Sequence, residues 1–372
     1  PSCPDPSPFQ AEVEARVRRP VIWTTQAPSK ELAVRVEPDA EGVRAELTIE
    51  SGGAPEVRRY WTLSYESKRS ASEDVLLEEL ESVIEEALRL HMVSDVPVGA
   101  FLSGGLDSSL LVAMIVKKLG VKSLPTCTMG IDYERVDEAP QARRVAERYR
   151  TDHHEERIVP EISPHLPDLI WALDEPSDPL SLCTWLLAQF TRRHVKVAIG
   201  GDGGDELFGG YDRYYGNYYA AQYGKVPETL RRRVIQPAFA LLPASGWYKS
   251  AGHKLRWLHH LSFHSGSARY AASLSYFYFD RERRMRLYAP EARRRVEGLD
   301  AEAAIRTPYD AIEGDELDRM LYADNMVRLP NHPVMITDRM CMAHGLETRS
   351  PFMDHKLAEF AARLPSNMKV RG

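Results

Sequence analysis

One short run of residues constrains this chain more than any other. The run Leu102 to Ser109 (LSGGLDSS) follows an apolar, strand-like segment at residues 96–102 and opens an apolar, helix-like segment at residues 110–119. A glycine-rich turn between a buried strand and a helix brings backbone N–H groups and the positive end of the helix dipole close to an anion. The run therefore predicts a pyrophosphate-binding loop, and ATP is its expected ligand.

The loop differs from the Walker type of phosphate loop. It carries no lysine, and the chain contains no G-x-x-x-x-G-K-[ST] sequence, so the lysine that reaches the β- and γ-phosphates is missing. This difference favours cleavage between the α- and β-phosphates, which yields AMP and pyrophosphate. Taken alone, the run is also typical of an ordinary turn followed by a helix N-cap.

A second glycine-rich run follows another strand-like segment. Residues 195–199 (VKVAI) lead directly into residues 200–211 (GGDGGDELFGGY). Carboxylates beside phosphates are favourable when Mg²⁺ lies between them, so Asp107 and Asp205 are the predicted magnesium ligands. The second run alone could be a solvated turn, but two glycine loops at two strand ends favour the nucleotide crevice of an open α/β sheet.

The rest of the chain supports this fold class. Strand-like segments at residues 124–129, 156–159 and 195–199 alternate with helical patterns, which predicts an α/β fold with a doubly wound parallel sheet. Ser72 is the predicted N-cap of a helix over residues 72–90. Beyond Tyr211 the chain becomes helical. Residues 1–62, with an alternating strand pattern at 43–49, form a small β-rich segment that could be the end of another domain, and residues 63–372 form the main domain.

Five motifs in a fixed order carry a family resemblance. Over about residues 58–372 the chain resembles the synthetase domain of glutamine-dependent asparagine synthetases, a fold of the ATP pyrophosphatase (PP-loop) type. The motifs are SGGLDSS, residues 132–154, residues 174–179 (DEPSDP), GGDGGDELFGGY and residues 338–354 (DRMCMAHGLETRSPFMD). Residues 59–61 (RYW) also resemble the stretch that joins the two domains of that family.

The resemblance implies an ATP-dependent ligase that forms an amide bond. A substrate carboxylate, by default that of aspartate, would attack the α-phosphorus of ATP and release pyrophosphate. Ammonia, free or derived from glutamine, would then displace AMP. Two alternatives stay open: a relative that amidates another carboxylate or closes a lactam ring, and a module that binds ATP but catalyses little.

The resemblance also assigns roles to individual residues. It implies that Leu102, Met129 and Gly201 line the adenine and ribose side, and that Asp202 belongs to the nucleotide-binding set. Glu347 would bind and deprotonate the incoming amine, although a surface ion pair with Arg349 is the simpler explanation of that glutamate. The residues expected to hold pyrophosphate are Ser103, Gly104, Gly105, Asp107, Ser108 and Ser109.

The chain departs from the family pattern at both ends. It begins Pro1-Ser2-Cys3, whereas the glutaminase nucleophile of the family is an N-terminal cysteine. We therefore expect no glutaminase activity. The family continues into a lysine-containing segment beyond the position of Gly372, and Lys369 is not the counterpart of that lysine. The chain is accordingly expected to be part of a longer protein.

Composition excludes several other classes. No apolar run reaches the ~18 residues of a membrane span, and no n-region and h-region mark a signal peptide, so a cytoplasmic enzyme without a membrane partner is expected. The net charge of −6 gives no argument for nucleic acid. The four cysteines form no C-x-x-C pair, and His153-His154 lacks metal-ligand spacing. A homodimer is among the expected partners, although the sequence does not reveal the oligomeric state.

Overall fold

The computed structural model describes residues 32–39, 42–49, 61–133, 137–159, 161–176, 178, 180–239, 250–275 and 281–370. The chain sorts into two compact units, one containing most of residues 32–61 and the other containing the residues from Thr62 onward. In the first unit, β1 (Leu32–Asp39) and β2 (Gly42–Ile49) form a two-stranded sheet. In all of these ranges, no helix combines the length and the apolar character that crossing a membrane requires.

The second unit is built on a five-stranded parallel sheet in the order β5-β4-β3-β6-β7. Parallel neighbours need crossover connections, which helices supply here. The predicted α/β class is therefore confirmed. The strands are β3 (Val98–Phe101), β4 (Pro125–Ile131), β5 (Asp152–Ile158), β6 (Val197–Ile199) and β7 (Glu347–Arg349).

The direction of strand addition reverses next to β3. From β3 the chain adds β4 and β5 on one side, and then returns to place β6 and β7 on the other side. Val98 pairs with Val197 and Ala100 pairs with Ile199, so β3 and β6 end at the same edge of the sheet. The two glycine-rich runs follow these two strands, at the position where open parallel sheets bind their ligands.

Helices surround the sheet and make up most of the chain beyond Tyr211. Short helical turns cover Glu228–Leu230, Gln236–Ala238, Pro351–Met353 and the π-helical segments Arg231–Ile235, Asp324–Arg328 and Pro330–Val334. The remaining helices are α1 (Glu73–His91), α2 (Leu106–Lys117), α3 (Ala139–Tyr149), α4 (Leu166–Leu173), α5 (Leu180–Thr191), α6 (Gly204–Phe208), α7 (Asp212–Tyr223), α8 (Ala251–Leu261), α9 (Gly266–Ser275), α10 (Arg281–Leu287), α11 (Pro290–Val296), α12 (Ala303–Ala311), α13 (Glu316–Ala323), α14 (Met335–Met342), α15 (His355–Arg363) and α16 (Ser366–Lys369).

Local sequence explains where α1 begins. The Ser72 side chain accepts a hydrogen bond from the backbone N–H of Val75 at 3.5 Å, which confirms the predicted N-cap. Leu76, Ile84 and Leu88 are buried on one face of this helix. The acidic side chains of α1 therefore remain on the opposite, solvent-facing side.

The core attaches the last part of the chain to the sheet. α14 packs against α4 and α5 through a buried cluster, and a second cluster joins α14 and the residue before β7 to the strand-like segment at residues 195–198. The first cluster contains Leu169, Leu173, Leu182, Ile336 and Met340, and the second contains Ala188, Val195, Ala198, Cys341 and Leu346. Each large apolar side chain contributes about 1.5–3 kcal/mol when buried. This packing holds residues 335–350 beside the loop that follows β6.

The predicted strand at residues 156–159 was wrong in its extent. β5 begins at Asp152, because its polar residues pair along the whole length of β4 although they carry no apolar signal. His153 contacts Thr126 at 3.0 Å, and the His154 ring stacks on His194. Residues 1–31, 59–60, 134–136, 177 and 179, which contain parts of the predicted motifs, lie outside the described residues.

Candidate active site

The first glycine-rich loop connects β3 to α2 and is closed by its own serines. The Ser103 N–H donates to the Ser108 hydroxyl oxygen at 3.2 Å, and the Ser103 and Ser108 hydroxyls lie 3.0 Å apart. The Gly105 N–H donates to the Ser103 hydroxyl oxygen at 3.1 Å. Ser109 has a buried hydroxyl with no hydrogen-bond partner among the described residues. The loop therefore presents hydroxyl groups around the N-terminus of α2.

Gly104 shows why the loop needs glycine. Its φ angle is +76°, a left-handed conformation that other residues rarely adopt. A Cβ atom at this position would lie 2.5 Å from the backbone nitrogen of Ala142 in α3. The loop thus packs directly on α3, and a side chain at residue 104 would push the two apart.

The second glycine-rich loop brings its glycines against Asp107. A Cβ atom on Gly204 would lie 2.6 Å from Oδ2 of Asp107, and one on Gly201 would lie 3.3 Å from the Asp107 Cβ. Gly203, at the N-terminus of α6, has a φ angle of +94°. The absence of side chains at these positions lets the Asp107 carboxylate approach the backbone next to Asp205.

The electrostatics of Asp107 and Asp205 are those of two neighbouring carboxylates. Burial, and secondarily the negative charge of Asp205, raises the pKa of Asp107 to about 6. Burial raises the pKa of Asp205 as well, while Arg213 and Arg328 act in the opposite direction. Within the described part of the chain, neither carboxylate has an ion pair or a hydrogen bond.

These two carboxylates could hold one divalent cation. Mg²⁺ is commonly bound by one or two carboxylates, with water and substrate phosphates completing its shell. Where the structure is described, no group of three or more His, Cys, Asp or Glu side chains is arranged to hold a metal ion. Asp107 and Asp205 therefore fit a cation whose remaining ligands come from phosphate and water.

Asp202 has a different environment from its neighbours in the same loop. Burial raises the pKa of its carboxyl group, and Thr337 and Ser350, which lie beside it, partly offset that rise. Thr337 belongs to α14 and Ser350 follows β7, so Asp202 joins the loop after β6 to both segments. Asp202 therefore fixes the shape of the loop.

Leu102 directly follows β3 and Met129 lies near the end of β4, so both lie at the same edge of the sheet. The Leu102 N–H donates to the Cys127 carbonyl oxygen at 3.0 Å, and its own carbonyl oxygen accepts from the Thr128 hydroxyl. Leu102 is 1% exposed, whereas Met129 is half-buried. Both backbone groups of Leu102 already have partners within the sheet and its side chain is almost fully buried, so little of Leu102 is accessible to a ligand.

The structure does not bring Glu347 to the glycine loops. Glu347 pairs with Val197, which pairs with Val98, so it lies at the opposite end of the strands from Leu102. At about 3.3 Å per residue, that separation is about 13 Å along the sheet. Its carboxylate accepts a hydrogen bond from Arg349 Nε at 2.6 Å and is 53% exposed. The surface ion pair considered in the sequence analysis is present, and the catalytic role of Glu347 stays a prediction.

Two arginines near the acidic loop have no recognisable signal in the sequence. Arg213, in α7, is paired with the buried Asp324, and its guanidinium lies 3.7 Å from the Tyr211 ring centroid. Arg328 donates from Nη1 to Glu206 Oε1 at 3.3 Å. No motif marks either residue, because tertiary packing alone brings the π-helical segment Asp324–Arg328 next to α6.

The fold and the loops define the class of the protein, a parallel α/β protein whose crevice lies at the carboxyl ends of the strands. A family model described as asparagine synthase matches residues 79–372. The chain therefore belongs to the asparagine synthase family.

Individual relatives extend this finding. Asparagine synthetase [glutamine-hydrolyzing] 1 of Bacillus subtilis is 28% identical over 341 residues, covering 91% of this chain and 50% of the relative. A putative asparagine synthetase of Methanocaldococcus jannaschii is 36% identical over 183 residues, covering 47% of this chain and 35% of the relative. Amidase chry2 of Gibberella zeae is 27% identical over 345 residues, covering 84% of this chain and 50% of the relative. The chain thus spans about half the length of the curated relatives that it matches over most of its own length.

Proposed function

We propose that the chain forms the synthetase part of an ATP-dependent ligase that joins ammonia to an activated carboxylate. The observation that carries this proposal is the contact of two glycine loops at the carboxyl edge of the sheet, where the Asp107 carboxylate lies against Gly204 and is influenced by Asp205. The proposed part begins near residue 63, after the β-rich N-terminal segment.

The first half of the proposed reaction activates the carboxylate. A carboxylate oxygen forms a bond to the α-phosphorus of ATP, the bond from that phosphorus to the bridging oxygen breaks, and pyrophosphate leaves with the electron pair. Magnesium, when bound by Asp107 and Asp205, would neutralise charge on the phosphates. The hydroxyls of Ser103, Ser108 and Ser109, together with the N–H groups at the start of α2, would hold the pyrophosphate.

The nucleoside would lie at the same carboxyl edge of the sheet, beside the glycine loops. Met129 offers partly accessible apolar surface there and Gly201 offers a backbone without a side chain, whereas Leu102 is almost fully buried beneath this edge. Asp202, held by Thr337 and Ser350, would keep this loop in the conformation that places Gly201 and Asp205. Asp202 would therefore act by positioning the loop.

The second half of the proposed reaction forms the amide. Ammonia attacks the carbonyl carbon of the acyl-adenylate, AMP leaves, and the amine gives up a proton to a base. Several curated relatives are named as glutamine-hydrolysing asparagine synthetases, which supports aspartate as the carboxylate and glutamine as the source of ammonia. Relatives named amidases support a second candidate function, in which another carboxylate is amidated.

Nucleotide product analysis tests the proposal. The longest available form of the protein is incubated with ATP, Mg²⁺, ammonium and aspartate, and AMP is resolved from ADP. We expect AMP that depends on aspartate, with asparagine formed in equal amount. AMP that appears only with another carboxylate would favour the second candidate, and the absence of AMP with every carboxylate would contradict both.

The predicted role of Glu347 needs its own test, because the residue lies away from the loops. If Glu347 accepts the proton of the amine, Glu347→Gln spares adenylate formation, measured by exchange of labelled pyrophosphate into ATP, but slows amide release. If it only pairs with Arg349, the variant changes neither step. Equal loss of both steps would also contradict the role as a base.

A further inference from the structure

The two glycine loops leave the negative charge of a polyphosphate without a cationic side chain. Residues 102–109 and 200–211 contain no lysine and no arginine, and they contribute three aspartates and one glutamate. A single Mg²⁺ would leave most of the charge of ATP and of two carboxylates uncompensated. Any protein cation for the phosphates must therefore come from outside the loops.

Two guanidinium groups approach the loop from the helical part of the chain. Arg213 is fully engaged: it pairs with Asp324, donates to the Tyr270 hydroxyl at 3.2 Å, and its side chain is 11% exposed. Removing it from Asp324 to reach a ligand would leave a carboxylate buried and unpaired, which is costly. Arg213 is thus a structural cation.

Arg328 is bound less completely. One of its five N–H donors is directed to Glu206 at 3.3 Å, and its guanidinium lies 4.9 Å from the Tyr211 ring centroid. Its side chain is 22% exposed, whereas that of Glu206 is 2% exposed. Glu206 directly follows Asp205 in α6, and Arg328 is among the charges that act on Asp205, so the guanidinium is held near the predicted magnesium ligand while part of its side chain stays accessible to solvent.

We propose that Arg328 binds the β- and γ-phosphates of ATP and retains the pyrophosphate that leaves. This inference rests on the proposed function, because it assigns a further residue to the same crevice. A guanidinium is suited to the task, since its planar donors match two phosphate oxygens at once. As the bond between the α-phosphorus and the bridging oxygen breaks, the electron pair moves to that oxygen, and Arg328 stabilises the charge without any proton transfer.

Glu206 and Tyr211 orient the arginine. The Tyr211 hydroxyl donates to Glu206 Oε1 at 2.7 Å, and the same oxygen accepts from Arg328. The three side chains therefore form one unit that positions the guanidinium. The chemistry of Arg328 also suits the carboxylate of the acceptor substrate, so the experiment must separate the two anions.

Calorimetric titration with Mg²⁺-pyrophosphate provides a readout that does not require turnover. We expect Arg328→Gln to weaken pyrophosphate binding at least tenfold and Arg328→Lys to restore part of the loss. Arg319→Gln serves as the matched control, because Arg319 is half-buried like Arg328 and its Nε donates to the carbonyl oxygen of Gly314, which precedes α13. In steady-state assays, Arg328→Gln should raise the inhibition constant of pyrophosphate by a similar factor and change the KM of the carboxylate less than twofold.

Several results would contradict the proposed role of Arg328. Unchanged pyrophosphate binding in Arg328→Gln would overturn the inference, as would a rise confined to the KM of the carboxylate. If Arg328→Gln fails to fold, Arg328→Lys keeps the contact with Glu206, and binding as tight as in the unaltered protein together with an unchanged inhibition constant would contradict a fork-shaped phosphate contact. If the unaltered protein binds no Mg²⁺-pyrophosphate, both this inference and the proposed function fail.

Discussion

The carboxyl edge of the sheet and the helical part of the chain differ in the partners that they give to their carboxylates. At the edge, Asp107 and Asp205 lie close together with no ion pair or hydrogen bond in the described residues, and burial raises the pKa of both. In the helical part, Asp324 is fully buried but accepts hydrogen bonds from Arg213 and Tyr214. The second arrangement stabilises the fold, whereas the first is unfavourable until a cation binds.

The comparison shows that burial alone does not identify a functional acid. Both regions contain aspartates that are wholly or partly buried, and both contain tyrosines whose pKa is raised by burial. The difference lies in the partners of each carboxylate. Asp324 is held through one carboxylate oxygen by an arginine and a tyrosine, whereas Asp107 lies against glycine backbone and another acid, which leaves space for a ligand.

The largest expected effect comes from removing the arginine that pairs with Asp324 in the helical part of the chain. Arg213→Met leaves Asp324 buried without its cation, which should lower the free energy of unfolding by about 3–5 kcal/mol. Urea denaturation followed by far-ultraviolet circular dichroism measures the change. Lys254→Met is the control, because its pair with Asp212 is exposed, with 56% and 73% of the two side chains accessible, and should contribute less than about 1 kcal/mol. Similar losses in both variants would refute the distinction between the regions.

A smaller effect is expected from crowding the unpaired region. Gly204→Ala places a methyl group 2.6 Å from the Asp107 carboxylate oxygen, so the carboxylate must move. A displacement of about 1 Å should reduce AMP formation by about 10- to 100-fold, while the free energy of unfolding changes by less than about 1 kcal/mol.

Gly298→Ala is the matched control for this substitution. A Cβ atom at residue 298 meets nothing within 4 Å, so both activity and stability should stay close to those of the unaltered protein. Undiminished AMP formation in Gly204→Ala would show that the position of Asp107 does not matter for the reaction.

The smallest expected effect is a pH-dependent change in stability. The pKa of Asp107 is raised from 3.8 to about 6 in the folded protein, so the folded state binds this proton more tightly than the unfolded state. The resulting stabilisation is complete below pH 3.8 and is lost as the pH rises through about 6. Above that pH, Asp107→Asn should therefore increase the free energy of unfolding of the metal-free protein by about 1 kcal/mol, after allowance for solvent screening.

Mg²⁺ should reverse the order of stability of the unaltered protein and Asp107→Asn. Mg²⁺ favours the ionised carboxylate, so it should stabilise the unaltered protein at pH 7.5 and should have little effect on Asp107→Asn. Thermal unfolding from pH 4 to pH 8, with and without Mg²⁺, measures both effects. A stability advantage of the Asn variant that persists in Mg²⁺ would argue against Asp107 as a ligand.

Much of the fold was predictable because its signals are local. The strand and helix on either side of residues 102–109, the N-cap at Ser72 and the parallel α/β class follow from apolar spacing, glycine content and capping chemistry, and all three are observed. The start of β5 was not predictable, because Asp152 and the residues that follow it are polar and their pairing with β4 leaves no apolar pattern in the sequence.

The candidate site likewise has features that the sequence predicts and features that only the tertiary structure reveals. The sequence by itself determined the two glycine loops and their acids, because a loop that approaches an anion needs glycine at particular backbone conformations. Only the tertiary structure decided that Asp107 lies against Gly204, that Arg328 reaches the acidic loop and that Glu347 lies at the other end of its strand. The physical reason is that strand register and helix packing set distances between residues far apart in the chain, and no local pattern of residue types encodes those distances.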